Sequence, residues 1–267
     1  MSTPSQLNST TLLAAAVGNT RIHAGLFVSG RLEKTETIAH EEGDPREVLG
    51  SLVEAAGGGA AAVVASVADE AAQRIERVLE GLGVGSVLRL GRDAPVPIPV
   101  ALDDPTTVGH DRLLNGLAAF ELTGQASLVV DAGTAVTCDF VDGEGTFQGG
   151  VIGPGLGMML RSLHRETSAL PDVNYEAPDK DRGPWGKDTA HAMCLGVAAQ
   201  VRGLVHLVLE QTAEAFGAYP RVIATGGDAE ALFAVDELVE TIVPDLQLRG
   251  ISAAVGRILE AGRDGEE

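Results

Sequence analysis

The sequence is poor in cysteine and in basic residues, and both shortages exclude classes of protein. Two cysteines in 267 residues offer no disulfide framework. Only three of the 19 basic residues are lysine, against 38 acidic residues, so the formal net charge is −19. A chain this acidic is expected to bind neither nucleic acid nor an anionic membrane, because both attract basic patches. A nucleotide is not excluded, since a local pocket of backbone N–H groups can bind it.

Long apolar runs and a basic N-terminal segment are also lacking. The first eleven residues are polar and carry no basic side chain, which is not how a signal peptide begins. No apolar run approaches the ~18 residues that a membrane-spanning helix needs. We therefore expect no membrane association and a cytoplasmic location.

The remaining composition is that of an ordinary globular protein. Hydrophobic residues make up 45% of the chain and charged residues 21%. The length corresponds to one large domain or two small ones. Cys138 and Cys194 are far apart and lack metal-ligand spacing, so we expect both to be small buried hydrophobic side chains.

Short apolar segments between turn residues predict a strand-rich first half. The turns Gly18-Asn19-Thr20 and Ser29-Gly30 separate three strands. Asp44 and Asp69 are expected to cap two amphipathic helices that alternate with two further strands. The predicted strands are 12–17, 22–28, 33–39, 61–67 and 86–90, and the predicted helices are 45–56 and 69–82.

The same order of elements begins again after a Pro-rich segment, 91–110, and a predicted helix over 112–122. The sequence LLAAAVGNTRIHAGLFVSG also aligns with SLVVDAGTAVTCDFVDG, which places Gly18 on Gly133. An internal duplication explains both repeats, and chance similarity between two hairpins is the alternative. The predicted strands of the second half are 127–131, 135–141, 145–152, 222–225 and 241–243, and its predicted helices are 188–212, 228–233 and a last helix containing 251–259.

Each half opens with two strands joined by a turn that contains glycine and threonine. Thr20 and Thr134 lie in these turns beside small residues. Such a turn lets backbone N–H groups approach an anion closely, and the hydroxyl adds a donor. Two facing turns can bind the phosphates of a nucleotide from both sides, although most turns of this kind are plain hairpin connections.

The duplicated unit with these hairpins resembles the actin, Hsp70 and sugar kinase superfamily, and more closely the type III pantothenate kinases. The resemblance implies an α/β actin-like (ASKHA) kinase fold of two ribonuclease H-like domains, 1–123 and 124–267. It extends over nearly the whole chain. The matching stretches are VGNTRIHAGLF (17–27), VGHDRLLNGLAA (108–119), VVDAGTAVTCDFVD (129–142), GGVIGPGLGMMLRSLHRETSALP (149–171), DTAHAMCLG (188–196), ATGGDA (224–229) and PDLQLRG (244–250).

The resemblance also implies a reaction and a set of site residues. The γ-phosphoryl group of ATP, bound with Mg²⁺, passes to the 4′-hydroxyl of pantothenate in the first step of coenzyme A synthesis. Asp131 matches a carboxylate associated with a monovalent cation (K⁺ or NH₄⁺). The residues matched to nucleotide binding are Ala16, Val17, Gly18, Asn19, Thr20, Arg21, Ile22 and His23 in the first phosphate loop, and Gly133 and Thr134 in the second. The residues matched to pantothenate binding are Leu102, Gly109, His110, Asp111, Arg112 and Thr189.

Chemistry agrees with the roles implied for the GxDR motif, residues 109–112. Asp111 is the expected catalytic residue, since its carboxylate can accept the hydroxyl proton or orient the hydroxyl. It also lies near the start of a helix, so a simple N-cap is the alternative. Arg112 can bind the pantothenate carboxylate in a bidentate pair. In the family Thr189 completes the pocket across a dimer interface, so we expect a homodimer built through the second half.

Two positions depart from the family pattern. Ala16 stands where the first phosphate loop usually begins with Asp, and the internal repeat shows the same contrast with Asp131. Leu102 stands where Tyr is usual. The chain is then an active kinase, a weakened one, or a degenerate relative that acts as a ligand-binding or regulatory accessory protein. We expect Ala16→Asp to raise activity, because a strand end that faces a cleft is partly hydrated and can accept a carboxylate.

Overall fold

The structure is a computed structural model that describes residues 11–40 and 43–264. The polar segment 1–10, considered above as a possible signal sequence, lies outside the described residues. The strands are β1 Thr11–Val17, β2 Arg21–Val28, β3 Arg31–Ala39, β4 Ala61–Ser66, β5 Ser86–Arg89, β6 Ser127–Ala132, β7 Ala135–Val141, β8 Phe147–Pro154, β9 Arg221–Thr225 and β10 Thr241–Ile242. The helices are α1 Pro45–Ala55, α2 Asp69–Gly81, α3 His110–Thr123, α4 Leu156–Glu166, α5 Thr189–Phe216, α6 Ala229–Phe233 and α7 Leu246–Asp264.

The described chain forms two compact units, each with one five-stranded sheet. The strand order is β3-β2-β1-β4-β5 in unit 1 and β8-β7-β6-β9-β10 in unit 2. In both units the first three strands are antiparallel and the last two run parallel to the first. The two sheets therefore share one topology, which confirms the predicted pair of duplicated α/β domains.

The sheet of unit 1 is covered on both faces. Leu13, Ala15 and Val17 alternate along β1 and pack into one hydrophobic core with α1 and α2. Helix α7 contacts β1 and β2. Gly25 of β2 leaves room for this helix, since a β-carbon there would lie 2.9 Å from Cδ1 of Leu248. The other face of β1, which carries Ala16, is thus buried as well.

The core of unit 2 is built around the long helix α5. Met193, Val197, Val201, Val205 and Leu209 recur every four residues and are buried in that core. Contrary to expectation, an 18-residue window of α5 has the length and composition of a membrane span. A core helix passes the same test, and the stripe of α5 that is buried in unit 2 is the pattern of a core helix.

The expected domain boundary near residue 123 coincides with a division between the units, but the units are not continuous in sequence. Unit 1 comprises 1–99, 103–122 and 245–267, and unit 2 comprises 100–102 and 123–244. The last helix joins unit 1 because its apolar residues Leu246, Leu248 and Ile251 are fully buried there. This division differs from the expected one, in which 245–267 belongs to the C-terminal domain.

Three local predictions can be compared directly. Asp44 caps α1, since its Oδ1 accepts a hydrogen bond from Arg46 N at 2.9 Å. Asp69 is not a cap but the first helical residue of α2, where its carboxylate pairs with Arg89. The sequence patterns assign no element to 156–166, yet α4 forms there and buries Leu156 and Leu160.

Candidate active site

The first phosphate loop is an exposed turn between β1 and β2. Gly18 N donates to Arg21 O at 2.9 Å and closes the turn. His40 holds it from the β3 side, because its Nε2 lies 2.8 Å from Gly18 O and its backbone N donates to Thr20 O at 2.9 Å. Gly18, Asn19, Thr20 and Arg21 are all exposed. The loop is therefore held by hydrogen bonds from His40, and its residues 18–21 are accessible to a ligand.

His23 is held by the protein on both sides of its ring. Nδ1 lies 2.8 Å from Thr37 Oγ1, and Nε2 lies 3.1 Å from Asp245 Oδ1. Both ring nitrogens thus have partners within unit 1. A direct contact between His23 and a phosphate, as the family pattern implies, would require one of these bonds to break.

Ala16 lies directly opposite His23 in the antiparallel pair of β1 and β2. Residues that face each other in this way project from the same side of the sheet. Ala16 is only 3% exposed. The expectation that its strand end is partly hydrated is therefore wrong, since the second face of this sheet is covered.

The GxDR motif forms the start of α3 in unit 1. Gly109 O accepts hydrogen bonds from Arg112 N at 3.2 Å and Leu113 N at 3.4 Å, so Gly109 occupies the N-cap position. Asp111 is the second helical residue, and its Oδ1 accepts from Arg112 N at 2.9 Å. The interpretation of Asp111 as a simple N-cap is therefore wrong.

The Asp111 carboxylate lies over Gly109. A β-carbon at Gly109 would collide with Oδ1 of Asp111, so only glycine leaves room for this arrangement. His110, Asp111 and Arg112 are all half-buried. The motif thus brings the acidic residue Asp111 and the basic residue Arg112 together in the first turn of one helix.

The second phosphate loop lies in unit 2, between β6 and β7. Gly133 N donates to Ala135 O at 3.0 Å, so this turn is one residue shorter than the first. Gly155 N donates to Thr134 O at 3.2 Å, and a β-carbon at Gly155 would lie 2.6 Å from that same oxygen. The unpredicted helix α4 therefore begins against Thr134, and Gly155 is the residue that allows the close approach.

Asp131 is half-buried near the end of β6. In the parallel register it lies opposite Thr225, whose strand ends at the turn of Gly226. Gly226 has a φ of +93°, and a β-carbon there would lie 2.5 Å from Oδ1 of Asp131. Two separate requirements, the left-handed backbone and the close carboxylate, thus favour glycine at this position.

The other two predicted pantothenate contacts also belong to unit 2. Leu102 is half-buried against β8, since a β-carbon at Gly149 would lie 3.1 Å from its Cδ2. Thr189 is exposed at the first position of α5. The helix is capped by Asp188, whose Oδ1 accepts from His191 N at 2.8 Å. This bond, together with Arg182, holds the pKa of Asp188 below its usual range.

A cavity of about 430 Å³ opens beside Thr189 in unit 2. Its lining is mixed, with acidic, basic and apolar side chains from 173–179 and from the start of α5. Among the described residues there is no group of three or more His, Cys, Asp or Glu side chains that could hold a metal ion.

Two units that repeat one ribonuclease H-like topology define the actin-like ATPase and sugar kinase fold. Solved structures with this arrangement include a putative Baf family transcriptional activator from Campylobacter jejuni, with a TM-score of 0.58, 17% identity and 94% and 99% coverage of the two chains. The activator of 2-hydroxyisocaproyl-CoA dehydratase from Clostridium difficile, solved with ADPNP, gives a TM-score of 0.52 at 15% identity, with 96% and 97% coverage. At these identities the likeness shows the fold alone.

The chain belongs to the type III pantothenate kinase family, whose pattern matches residues 12–211. Relatives of that name include proteins from Rhodospirillum rubrum, 40% identical over 60% of this chain, and Akkermansia muciniphila, 36% identical over 73%. The matched region spans 61% of the first protein and 76% of the second. A relative from Agathobacter rectalis is 29% identical over 90% of this chain and 95% of its own length. The family assignment implies a kinase that phosphorylates pantothenate in coenzyme A synthesis.

Proposed function

We propose that this protein transfers the γ-phosphoryl group of ATP to the 4′-hydroxyl of pantothenate, as its family name implies. The observation that carries the proposal is the start of α3, where Gly109 makes room for the Asp111 carboxylate. Phosphoryl transfer depends mostly on positioning and on charge stabilisation. A half-buried carboxylate fixed on a helix is suited to the positioning part.

Within this proposal Asp111 and Arg112 interact with different groups of pantothenate. Asp111 accepts the proton of the 4′-hydroxyl or orients that hydroxyl towards the phosphorus atom. Arg112 binds the pantothenate carboxylate, since a guanidinium matches a carboxylate in a bidentate pair. Leu102 packs against the substrate, and Thr189 completes the pocket from a second subunit.

The two phosphate loops are proposed to bind ATP. Exposed turns such as 18–20 can present backbone N–H groups other than that of Gly18, which donates to Arg21 O, and Gly133 and Thr134 form the second turn. Mg²⁺ supplies charge that stabilises the transferring phosphoryl group, and it usually keeps several waters beside one or two carboxylates. The absence of a three-ligand cluster among the described residues fits that mode. We assign Asp131 to the monovalent cation, K⁺ or NH₄⁺.

We also propose a homodimer built through unit 2. Strand β8 is the edge of its sheet, and Ile152 on it is 65% exposed. Met158 on the following helix is 42% exposed. The edge of β8 forms a bridge with Val100 only at Phe147, and apolar residues elsewhere on such an edge favour association with another chain. Light scattering at micromolar concentration tests this, and a monomer there would contradict it.

A cytoplasmic location is proposed as well. Both cysteines are free and buried, and burial raises the pKa of the Cys138 thiol to about 12. Free thiols are usual in a reducing compartment. The alternative of a catalytically degenerate accessory protein gains no support from the comparisons, since the likeness to the Campylobacter protein shows the fold alone.

The experiment that tests the proposal is a coupled ADP-release assay with ATP, Mg²⁺ and pantothenate. Potassium, ammonium and sodium salts are compared at one ionic strength, so that a specific cation effect is separated from screening. ADP release that requires pantothenate and is faster in K⁺ or NH₄⁺ supports both the reaction and the cation. Turnover that is equal in sodium would remove the cation from the proposal and leave the reaction.

A further inference from the structure

The turn that follows β5 lies against the His110 ring. Asp93 N donates to Arg89 O at 2.9 Å, and Gly91 N donates to Ala94 O at 2.7 Å. Gly91 has a φ of +88°, which favours glycine. A β-carbon at Gly91 would lie 2.7 Å from Nδ1 of His110, and closer still to Cε1 and Nε2. The bare backbone of Gly91 is therefore the surface on which the imidazole rests.

Charged side chains fix this turn. Arg92 binds Asp93 through two hydrogen bonds, of 2.8 and 2.7 Å, and its Nη1 reaches both oxygens of Glu76 at 3.1 and 2.9 Å. Asp93 Oδ2 also accepts from Arg89 N at 2.9 Å. The Asp93 side chain is 8% exposed and that of Glu76 is 12%, whereas the Arg92 side chain that joins them is 44% exposed. The turn is thus tied to α2 and to the end of β5.

Packing positions the His110 ring. The ring is half-buried, and its Nε2 and Nδ1 both lie near the Gly91 backbone. His110 is also the first residue of α3 and immediately precedes Asp111. A ring displaced by a β-carbon at Gly91 must either rotate about its own side-chain bonds or shift the first turn of the helix, and this turn carries the groups assigned above to pantothenate.

We propose that Gly91 is a positioning residue for the GxDR motif, acting through the His110 ring that its backbone supports. The inference rests on the proposed function, because the motif is assigned to pantothenate by that function. Gly91 does not touch substrate. It sets where Asp111 and Arg112 are held, and the Arg92–Asp93–Glu76 network keeps it in place.

Gly91→Ala tests the proposal, with Gly83→Ala as a matched control. Gly83 follows α2, has a φ of +82° and has nothing within 4 Å of an added β-carbon. Both variants therefore carry the same backbone strain, but only one displaces His110. A misplacement of about 1 Å can cost roughly 100-fold in rate. We expect Gly91→Ala to lower kcat/KM for pantothenate by about ten-fold or more, with KM for ATP within about two-fold of wild type. Gly83→Ala should leave both values near wild type, and equal kinetics in the two variants would overturn the proposal.

The double variant Gly91→Ala/His110→Ala separates displacement of the ring from strain in the turn. Without the ring the added methyl group has room, so the double variant should match His110→Ala in kcat and in KM. Residues that act through one contact are not additive. Additive losses would show that Gly91 acts through something other than His110, and would overturn the proposal.

A readout without turnover separates this inference from the proposed function. The His110 imidazole signals in a ¹H–¹³C NMR spectrum can be assigned by their loss in His110→Ala. They should shift in Gly91→Ala and not in Gly83→Ala. If the wild-type protein neither phosphorylates nor binds pantothenate, the proposed function is refuted, but the contact between Gly91 and His110 is not. Unshifted His110 signals in Gly91→Ala would end the positioning role.

Discussion

The Nε2 atom of His23 lies 3.1 Å from Oδ1 of Asp245, a residue 222 positions away in sequence. The pair joins β2 to the start of α7, directly across from Ala16. His206 and Asp236 form a pair of the same length in unit 2. The chain therefore offers a matched control for the role of the first pair.

Asp245→Asn should weaken ATP binding. The amide carries no charge, so it holds the His23 ring less firmly, and this ring supports the strand end beside the first phosphate loop rather than contacting a phosphate. We expect KM for ATP to rise by about three- to ten-fold, with KM for pantothenate unchanged, because the loss is confined to one ligand. Asp236→Asn is the control and should change neither. Equal effects of the two variants on steady-state kinetics would limit Asp245 to a structural role.

Ala16→Asp remains the sharpest test of the missing carboxylate, but burial changes the expected result. Ala16 is 3% exposed, so an unpaired carboxylate there should destabilise the protein without ligand. With Mg²⁺ and ATP bound we expect the metal to compensate the negative charge of the carboxylate. The value of kcat/KM should then rise by about ten-fold or more, which corresponds to about 1.4 kcal/mol of the activation barrier. The paired measurements are melting temperature with and without MgATP and steady-state rate.

Ala16→Asn controls for the size of the new side chain. It should lower the melting temperature without any gain in rate, because an amide cannot supply the charge that holds the metal against the phosphates. If Ala16→Asp lowers activity as well as stability, the first loop does not lack a carboxylate ligand.

Asp111→Asn should lose most of kcat and keep nucleotide affinity. A lost general base or orienting group typically costs about 10²–10⁴-fold. Stability should change little, since Asp111 is not the N-cap of α3. Asp44→Asn, at a true N-cap of the same unit, should keep full activity because Asn caps about as well as Asp. Turnover of Asp111→Asn within a few-fold of wild type would remove Asp111 from the catalytic role.

The turn at 89–94 predicts a dependence of stability on pH. The hydrogen bonds from Arg92 hold the pKa of Asp93 below its usual range. A lowered pKa stabilises the fold above the unfolded value of about 3.9, and the stabilisation is lost as pH falls through the folded pKa. Asp93→Asn should therefore be less stable than wild type near pH 7, by about 1–3 kcal/mol. The difference should shrink below about pH 4, and denaturant titrations at several pH values would check both statements. A difference that is constant with pH would mean that charge is not the cause.

Much of this fold follows from sequence pattern, and the exceptions have physical causes. Strands such as 61–66 are apolar as far as Ser66 and follow a glycine-rich turn, so their pattern identifies them. Helix α4 escapes prediction because Gly155 and Gly157 suggest a turn, whereas Gly155 is required by the approach to Thr134. The assignment of α7 to unit 1 depends on which sheet its apolar face covers, and no local pattern contains that information.

The residues of the candidate site likewise include some that the sequence identifies and some that only the folded chain reveals. Motif residues such as Asp111 are found from sequence because chemistry restricts them to a few residue types. Gly91 carries no such signal, since one glycine in a Pro-rich segment is ordinary. Its role depends on a contact with His110, 19 positions away, which only the folded chain brings together. The Asp245 partner of His23 is hidden for the same reason.

The most direct test of the central claim is identification of the product. The protein is incubated with ATP, Mg²⁺, K⁺ and pantothenate, and the products are followed by ³¹P NMR and mass spectrometry. We predict that 4′-phosphopantothenate and ADP appear in equal amounts, and that Asp111→Asn forms little of either. ADP without phosphopantothenate, or no product together with no pantothenate binding by calorimetry, would contradict the assignment of this chain as a pantothenate kinase.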